Sequence, residues 1–455
     1  MSLISTLMVG KSGLGVYQTA IEVTGENIAN VNTNGYSRQK VNLQTAPPTT
    51  HNGFPLGTGV KIASVERYYD GLLQQQLVTA SSASGYDSTM LNVLRQIEPS
   101  FNELTKNGLG SAIANFFQAW QDLSTNPSGT AERQTLLSQS KVLADNFNSV
   151  NATLNAAIET QDMALSSLTD DINNTLSNIA VLNGHIRQIE QTSGNANEIK
   201  DQRDLLVRQL SEQMGVQYTE NADGTTDVYV EDGSTSYYLV RGADAGSLSL
   251  SGSSPSRMVT INDVSGNTAP VDNNIYASQN GGALWATLQL RDVTIPGYLA
   301  QLDVLASDVI SQVNAQHAAG YDINGAAGVN FFSGSASGTI AVAITNPDNV
   351  AAADLAATAP GGNANALAIA RLQSGFSASY NTLVSQVGLD VRQAETVTIQ
   401  DQAYFRQLST LRDSYSGVSL DEELTNLVMY QRSYQASSKL ITTVAEMMDV
   451  LLAMV

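Results

Sequence analysis

Both ends of the chain carry apolar residues at alternating spacings of four and three, which is the pattern of a coiled-coil helix. The N-terminal stripe comprises Leu3, Leu7, Gly10, Leu14, Tyr17, Ile21, Thr24, Ile28 and Val31. The C-terminal stripe comprises Leu420, Leu424, Leu427, Gln431, Tyr434, Ser438, Ile441, Ala445, Met448, Leu452 and Val455. Because two amphipathic helices can cover each other, we predict that they pair as one coiled coil. The alternative is two independent surface helices packed on a core.

Between these ends the sequence predicts an extended segment and then a long helical rod. Several prolines and glycines between residues 44 and 60 exclude helix there. From Ala131 to Asn183 there is neither glycine nor proline. As one helix this stretch would be about 80 Å long at 1.5 Å per residue, which is the length of a structural strut.

The composition changes near Val216, where two Asp-Gly pairs separate short alternating runs that predict β-hairpins. Residues 258–261 and 339–344 are further strand candidates, and 284–316 predicts a helix interrupted by Pro296. The predicted fold class is therefore mainly α with a β-rich insertion. It is a discontinuous multidomain rod with paired terminal helices, a long helical-bundle strut and a small outward β domain.

This order of elements predicts three domains, each built from separate parts of the chain. They are a terminal coiled-coil domain (1–43 with 415–455), a helical rod domain (44–216 with 282–334 and 363–414) and a β-rich outer domain (217–281 with 335–362).

Charge and cysteine content narrow the possible partners. The 455-residue chain has a net charge of -20 and no cysteine. Such a surface repels phosphate, so we expect neither nucleic acid nor an anionic membrane as a partner. Disulfides and thiolate zinc sites are impossible without cysteine. The start MSLISTLMVGKSGLG has no basic segment and no small-residue cleavage site, so no cleaved secretory signal is expected.

Motifs that carry catalytic or ligand-binding chemistry are incomplete in this sequence. Gly10-Lys11-Ser12 lacks the earlier glycine of a phosphate-binding loop, and Ser138 with Lys141 lacks the companion motifs of a serine nucleophile. The aspartates near glycine and asparagine do not complete a calcium loop. We therefore predict no enzyme activity, no catalytic residue, no cofactor and no metal site.

The three histidines do not have the spacing of a metal site either. His51, His185 and His317 are isolated in the sequence, and lone histidines in such contexts are usually surface or capping residues. We predict that role for all three. A small acidic cluster at Asp421–Glu423 is explained by the start of a helix, where carboxylates favour the positive end of the dipole.

The stretch NIANVNTNGYSRQ, residues 27–39, stops the N-terminal helix abruptly. Asn34-Gly35 can adopt the left-handed conformation that ends a helix. The side-chain amides of Asn27, Asn30 and Asn32 can bond freed backbone groups or neighbouring subunits. These features predict an elaborate cap that redirects the chain.

The same stretch resembles the N-terminal signature of the axial proteins of the bacterial flagellum, which are the rod, hook and hook-associated proteins. Its GYSRQ form is most similar to the hook-associated protein 1 family. Residues 416–452 resemble that family's C-terminal signature, and residues 290–332 resemble a segment that hook and rod proteins lack. The resemblance therefore covers both ends and the interior.

The resemblance implies a structural protein of the hook–filament junction that is secreted through the flagellar type III apparatus. It implies self-assembly, with hook protein on one side, a second hook-associated junction protein on the other and an export chaperone before secretion. The terminal helices would line the inner tube. The expected assembly-interface residues are Leu3, Leu7, Leu14, Tyr17, Ile21, Ile28, Asn30, Asn34, Gly35, Tyr36, Arg38, Leu424, Leu427, Tyr434, Ile441, Met448 and Leu452.

Two alternatives remain open from the sequence. One is another axial component, such as the hook protein or the second junction protein. The other is a secreted enzyme or adhesin that carries flagellar-type ends and has its site in the β-rich insertion.

Overall fold

The computed structural model describes residues 3–51, 54–101, 108–192, 194–272 and 281–454. Helices dominate these residues. They are α1 (Leu3–Ala29), α2 (Gly71–Ile97), α3 (Leu109–Thr125), α4 (Thr130–Gln191), α5 (Asn197–Met214), α6 (Gly282–Gln289), α7 (Ile295–Ala318), α8 (Ala364–Ala370), α9 (Gln373–Ser416) and α10 (Leu420–Ala453). A π-helical turn, Leu290–Thr294, joins α6 to α7 just before Pro296.

The strands form small antiparallel sheets. They are β1 (Gln39–Thr45), β2 (Thr49–His51), β3 (Phe54–Leu56), β4 (Val60–Arg67), β5 (Gln217–Glu220), β6 (Thr226–Asp232), β7 (Thr235–Arg241), β8 (Asp244–Ala245), β9 (Ser247–Ser251), β10 (Met258–Asn262), β11 (Thr268–Pro270), β12 (Phe332–Ser333) and β13 (Ala341–Val342). The larger sheets have the orders β5-β6-β7-β8 and β11-β10-β9, whereas β1 pairs with β4.

The terminal helices α1 and α10 lie side by side. Small residues of α1 form the contact: a Cβ built on Gly10 would lie 2.8 Å from Cγ1 of Ile441, and one on Gly13 would lie 2.7 Å from Oγ of Ser437. The two helix axes can therefore approach closely at this point. Whether the pair is a coiled coil stays a prediction.

The hairpin of β1 and β4 also packs against α1. The backbone N–H of Val60 donates to Oγ of Ser12 at 3.3 Å. A Cβ on Gly59 would lie 3.3 Å from Cα of Val9. The described residues of the extended segment expected at 44–60 thus belong with a hairpin that packs against the N-terminal helix, whereas the sequence-based domain bounds place this segment in the helical rod.

The body is a helical bundle built around α4, which runs unbroken for 62 residues. Its length, about 93 Å at 1.5 Å per residue, follows from the absence of glycine and proline over most of its span. Helices α3, α7 and α9 share one apolar cluster with the first half of α4. The aromatic side chains buried in this cluster include Phe116, Phe117, Trp120, Phe147, Phe331 and Phe332.

The sheets of residues 217–271 pack against the second half of α4 in a separate cluster. Ile172, Leu176 and Ile179 of α4 are buried there beside strand residues. Asn183 acts as a partner for the strand β6, because its amide exchanges hydrogen bonds with the backbone N–H and C=O of Thr226 at 3.0 and 2.7 Å. The β-rich part is therefore anchored to the rod along a long apolar surface.

Residues 335–362 do not pack with these sheets. Ile340, Ile344, Val350 and Ala352 are buried in the cluster of the helical body. This packing differs from the predicted grouping of 335–362 with 217–281. The reason is that the apolar side chains of this segment join the buried cluster around α4. The presence of strands in a segment does not indicate which surface those strands cover.

His317 corrects the expectation that the lone histidines lie at the surface. It is fully buried: Nδ1 lies 2.6 Å from the carbonyl oxygen of Val329, and Nε2 accepts the backbone N–H of Ala351 at 2.8 Å. Burial, together with the nearby charge of Arg133, lowers the pKa of His317 to about 4. The neutral ring thus joins two loop segments of the core. His185 is exposed as expected, and the side chain of His51 lies outside the described residues.

Candidate functional site

The stretch that stops the N-terminal helix is where four parts of the chain meet. Helix α1 ends at Ala29, and the following turn closes with a hydrogen bond from the N–H of Tyr36 to the carbonyl of Thr33. Gly35 has φ of 85°, which a residue with a Cβ rarely adopts. The predicted helix stop is confirmed, and it delivers residues 35–39 to the body of the molecule.

Asn27 is the centre of the first hydrogen-bond network. Its Oδ1 accepts the hydroxyl of Tyr36 and the backbone N–H of Gln39, both at 2.9 Å. Its Nδ2 donates to the carbonyl of Gln39 at 2.9 Å and to Oε2 of Glu423 at 3.0 Å. One buried amide thereby joins α1, the start of β1 and the first turn of α10. Burial also raises the pKa of Tyr36, so the phenol stays a donor.

Arg38 ties the same segment to α10. Its Nε lies 2.6 Å from Glu423, which is buried, and its Nη1 lies 2.6 Å from the more exposed Glu422. Although burial acts against the charge, these carboxylates hold the pKa of Arg38 above its ordinary value. The acidic start of α10 therefore has a specific partner, beyond the favourable helix dipole that its sequence predicts.

A second network ties the segment to α5. The backbone N–H and hydroxyl of Ser37 donate to Asp201 at 2.7 and 2.8 Å. Arg67 binds both Asp201 and Asp204, and Arg203 binds Asp204. Burial disfavours the charge of Asp204, but the two arginines keep its pKa below the usual range. Removing either partner would leave a buried charge uncompensated.

We name residues 27–39 with their partners on α5 and α10 the junction network. Five of the expected interface residues lie in the part of this network that follows the end of α1. Tyr36 is buried, Arg38 is mostly buried, and Gly35 is buried against Leu205 of α5. Asn30 bonds only within its own turn, and Asn34 is exposed. The stretch 27–39 therefore makes its contacts inside the chain. For the buried residues Gly35, Tyr36 and Arg38, the structure gives no support to the expected role in contacts between subunits.

The other expected interface residues lie on the terminal helices and are only partly covered. Half-buried positions are Leu3, Leu7, Leu14, Tyr17, Ile21, Ile28, Leu427 and Ile441. Exposed positions are Leu424, Tyr434, Met448 and Leu452. The buried face of α1 consists instead of Gly10, Gly13, Val16, Ala20, Val23, Thr24 and Asn27.

Sequence reasoning missed Ser37, Gln39 and Glu423 as members of the network, and it gave Asn27 no special weight among the asparagines. The only local signal was the density of polar residues at 27–39. Partners such as Asn27 and Glu423 are 396 residues apart, so no local pattern connects them.

The described residues contain no group of three or more histidines and carboxylates placed to hold a metal ion. No helix among them is both long enough and apolar enough to cross a bilayer. What the junction network can do chemically is hold polypeptide segments together.

Comparisons with known proteins match this chain to structural proteins of the bacterial flagellum. The model of the flagellar hook-associated protein FlgK helical domain matches residues 94–332. The model of the flagella basal body rod protein matches residues 7–36, and that of the flagellar basal body rod FlgEFG protein C-terminal matches 412–454.

Curated relatives match over nearly the whole chain. Flagellar hook-associated protein 1 of Bacillus subtilis (strain 168) is 26% identical over 97% of this chain and 96% of its own. That of Escherichia coli (strain K12) is 26% identical over 99% of both chains. The solved structure of the flagellar hook junction protein FlgK from Burkholderia pseudomallei is 28% identical with a TM-score of 0.51, over 57% of this chain and 46% of that chain.

The paired ends, each matching a flagellar rod-protein model, define the class: a structural protein of the bacterial flagellum. The helical-domain match covers more than half of the chain. The chain belongs to the flagellar hook-associated protein FlgK family.

Proposed function

We propose that the protein is a structural subunit of the junction between flagellar hook and filament, and that filament growth requires it. It assembles with copies of itself, with hook protein on one side and a second hook-associated junction protein on the other. A chaperone holds it before export through the flagellar type III apparatus. Its work is structural and involves no catalysis. Family membership and the partly uncovered terminal helices support this proposal.

The observation that carries the proposal is the exposed apolar end of the terminal helices. On α10, only Glu423 and Val444 are buried. Large apolar side chains that stay exposed near its C-terminal end are Leu440, Met447, Val450, Leu451 and Met454, and those on α1 include Ile4 and Met8. A contiguous apolar surface of this kind marks an interaction site. In our proposal, other copies of the same chain cover this apolar surface. Within each copy, α1 and α10 pair as a coiled coil.

The packing supports a division into three domains. We propose a terminal domain of α1, the hairpin 39–67 and α10, because these elements contact one another. The helical rod contains 335–362, and the outer β-rich domain is confined to 217–271. The buried clusters of rod and β-rich domain are separate, which supports this division.

A strain without the gene, complemented with single variants, tests the proposal. The strain alone should make hooks without filaments. Met447→Asp should be exported yet fail to restore filaments, because a carboxylate enters an apolar contact between subunits. Thr442→Asp is the matched control: it is equally acidic and exposed on α10, but five residues away it lies about 140° around the helix.

Filament counts by electron microscopy and the amount of secreted protein in the medium give the result. Normal filaments in the Met447→Asp strain would contradict the proposed contact. Filaments in the strain without the gene would contradict the function itself.

A further inference from the structure

Sulfur chemistry in this protein is confined to methionine. The 455-residue chain has ten methionines and no cysteine. Five of the methionines lie on the terminal helices or directly after them, although α1 and α10 have only 27 and 34 residues. They are Met8, Met429, Met447, Met448 and Met454. Methionine is therefore concentrated in the part of the chain that the proposed function assigns to contacts between copies.

Three of these methionines share one face of α10. Met429 and Met447 are 18 residues apart, which is about five full turns, and Met454 follows Met447 by seven residues, about two turns. We call Met429, Met447 and Met454 the methionine stripe. All three side chains are exposed, and that of Met447 is 52% exposed. Met447 also lines, with Leu3, an apolar groove between the start of α1 and the end of α10.

Other methionines provide references within the same chain. Met214 of α5 is fully buried. Met163 of α4 and Met258 of β10 are exposed to 59% and 58%, which is close to the exposed fraction of Met447. These two residues belong to the rod and to the β-rich part, outside the surface that the proposed function uses. Accessibility to solvent and a place on the terminal helices can therefore be tested separately.

An exposed thioether reacts with hydrogen peroxide. The sulfur attacks one peroxide oxygen, so that an S–O bond forms while the O–O bond breaks, and the proton of the new S–OH group passes to the departing hydroxide. The sulfur is oxidised by two electrons, the peroxide is reduced by two, and the products are methionine sulfoxide and water. The sulfoxide is polar, so burying it in an apolar contact without a hydrogen-bond partner is unfavourable.

We propose that the methionine stripe is an oxidation site through which peroxide controls assembly. In the free subunit, peroxide converts the stripe to sulfoxides, and the oxidised subunit loses the apolar surface that other copies cover. The change is reversible, because reductases return both sulfoxide epimers to the thioether. This inference rests on the proposed function, since it requires that the terminal helices meet other copies.

Peptide mass spectrometry of the purified full chain, during treatment with hydrogen peroxide, tests the accessibility of the stripe. Sulfoxide should form at Met447 about as fast as at Met163 and Met258, whereas Met214 should stay unmodified in the folded chain. If Met447 resists peroxide as Met214 does, the proposal is overturned.

Purified chain added to cells that lack the gene, and that carry hooks without filaments, tests the consequence for assembly. Unoxidised chain should restore filaments; if it does not, the proposed function is contradicted and the oxidation site falls with it. Oxidised chain should restore about tenfold fewer filaments. Treatment of the oxidised chain with methionine sulfoxide reductases should return the original number. Equal numbers from oxidised and unoxidised chain overturn the oxidation site and leave the proposed function standing.

Leucine variants locate the effect within the chain. The oxidised sample of each variant is compared with its own unoxidised sample, so that a changed starting level does not enter. Combining Met429→Leu, Met447→Leu and Met454→Leu should remove most of the loss. The matched control combines Met163→Leu with Met258→Leu and should lose as many filaments as the original chain. If the stripe variant also loses as many as the original chain, the damage lies elsewhere and the proposal is overturned.

Discussion

Asn27 shows how a single side chain can fix the relation between distant segments. It satisfies the phenol of Tyr36, both backbone groups of Gln39 and the buried carboxylate of Glu423. No other residue type offers two acceptor sites and two donors in this geometry. The neighbouring asparagines at 32 and 34 are exposed, so their amides do not join buried segments in this way.

Asn27→Ala is expected to destabilise the junction network by about 2–4 kcal/mol, because Tyr36, Gln39 and Glu423 lose partners while buried. Hydrogen exchange at the start of α10 measures the effect. Asn32→Ala, in the same motif, should stay within about 0.5 kcal/mol of the original chain. Equal effects of the two substitutions would argue against the central role of Asn27.

His317 makes a pH-dependent contribution whose sign can be stated. Its folded pKa of about 4 lies below the ordinary value of about 6.5, so between these pH values the unfolded chain binds the extra proton. Stability from this residue is therefore present above pH 6.5 and lost as the pH falls to 4, by about 3 kcal/mol.

Chemical denaturation at several pH values, comparing the original chain with His317→Gln, isolates this contribution. The pKa of Glu26 is raised to about 7 by its hydrogen bond to Glu198, and that of Asp87 to about 7 by burial and by Asp401. These two carboxylate pairs raise the stability of the folded state as the pH falls, which is opposite to the effect of His317. Both pairs are present in the original chain and in His317→Gln, so their contribution cancels when the two proteins are compared. His185→Gln is the exposed control and should leave the pH profile unchanged. If His317→Gln loses as much stability on acidification, the assignment is wrong.

Among the elements, the seam between α1 and α10 depends on glycine. Gly10 and Gly13 face α10, whereas a Cβ on Gly15 would have no heavy atom within 4 Å. The sequence pattern favours the large residues as the seam because hydropathy ranks them first. The structure places small residues of α1 opposite Ile441 and Ser437 of α10, and Tyr17 stacks on Tyr430 beside them.

Gly10→Val should push Ile441 away and lower the opening free energy of the α10 amides by about 1–3 kcal/mol. Hydrogen exchange of α10 in dilute protein checks this. Gly15→Val, on the open side of the same helix, should leave α10 unchanged because valine is no worse than glycine in a helix interior. If hydrogen exchange of the α10 amides is unchanged in Gly10→Val, the pairing of α1 with α10 does not depend on their close approach at Gly10.

The sequence was most informative where the signal is local. The break before Pro296, the unbroken α4 and the hairpins at the Asp-Gly pairs all follow from residue type and spacing. It failed where burial comes from distant partners, as for Ile340 and Val350 in the body cluster. Such contacts depend on which surfaces meet in space, and hydrophobic periodicity does not carry that information.

For the whole molecule, the uneven burial predicts uneven stability. Helix α4 supplies both buried clusters, whereas α10 buries only two residues. In dilute monomer, hydrogen exchange should therefore be fastest in α10 and slowest in the interior of α4. Assembled flagella should protect α10. Equal protection of both helices in the monomer would contradict the proposed need for neighbouring subunits.

The hydrogen bond from the N–H of Arg38 to the carbonyl of Ser416 has a consequence for the order of folding. Closing a loop of nearly 400 residues directly between α1 and α10 would be slow and entropically unfavourable. Once the body has formed, however, residues 38 and 416 are already neighbours. The two terminal helices then meet as if tethered by a short linker, at high effective concentration. The body is thus the template on which the ends of the chain find each other.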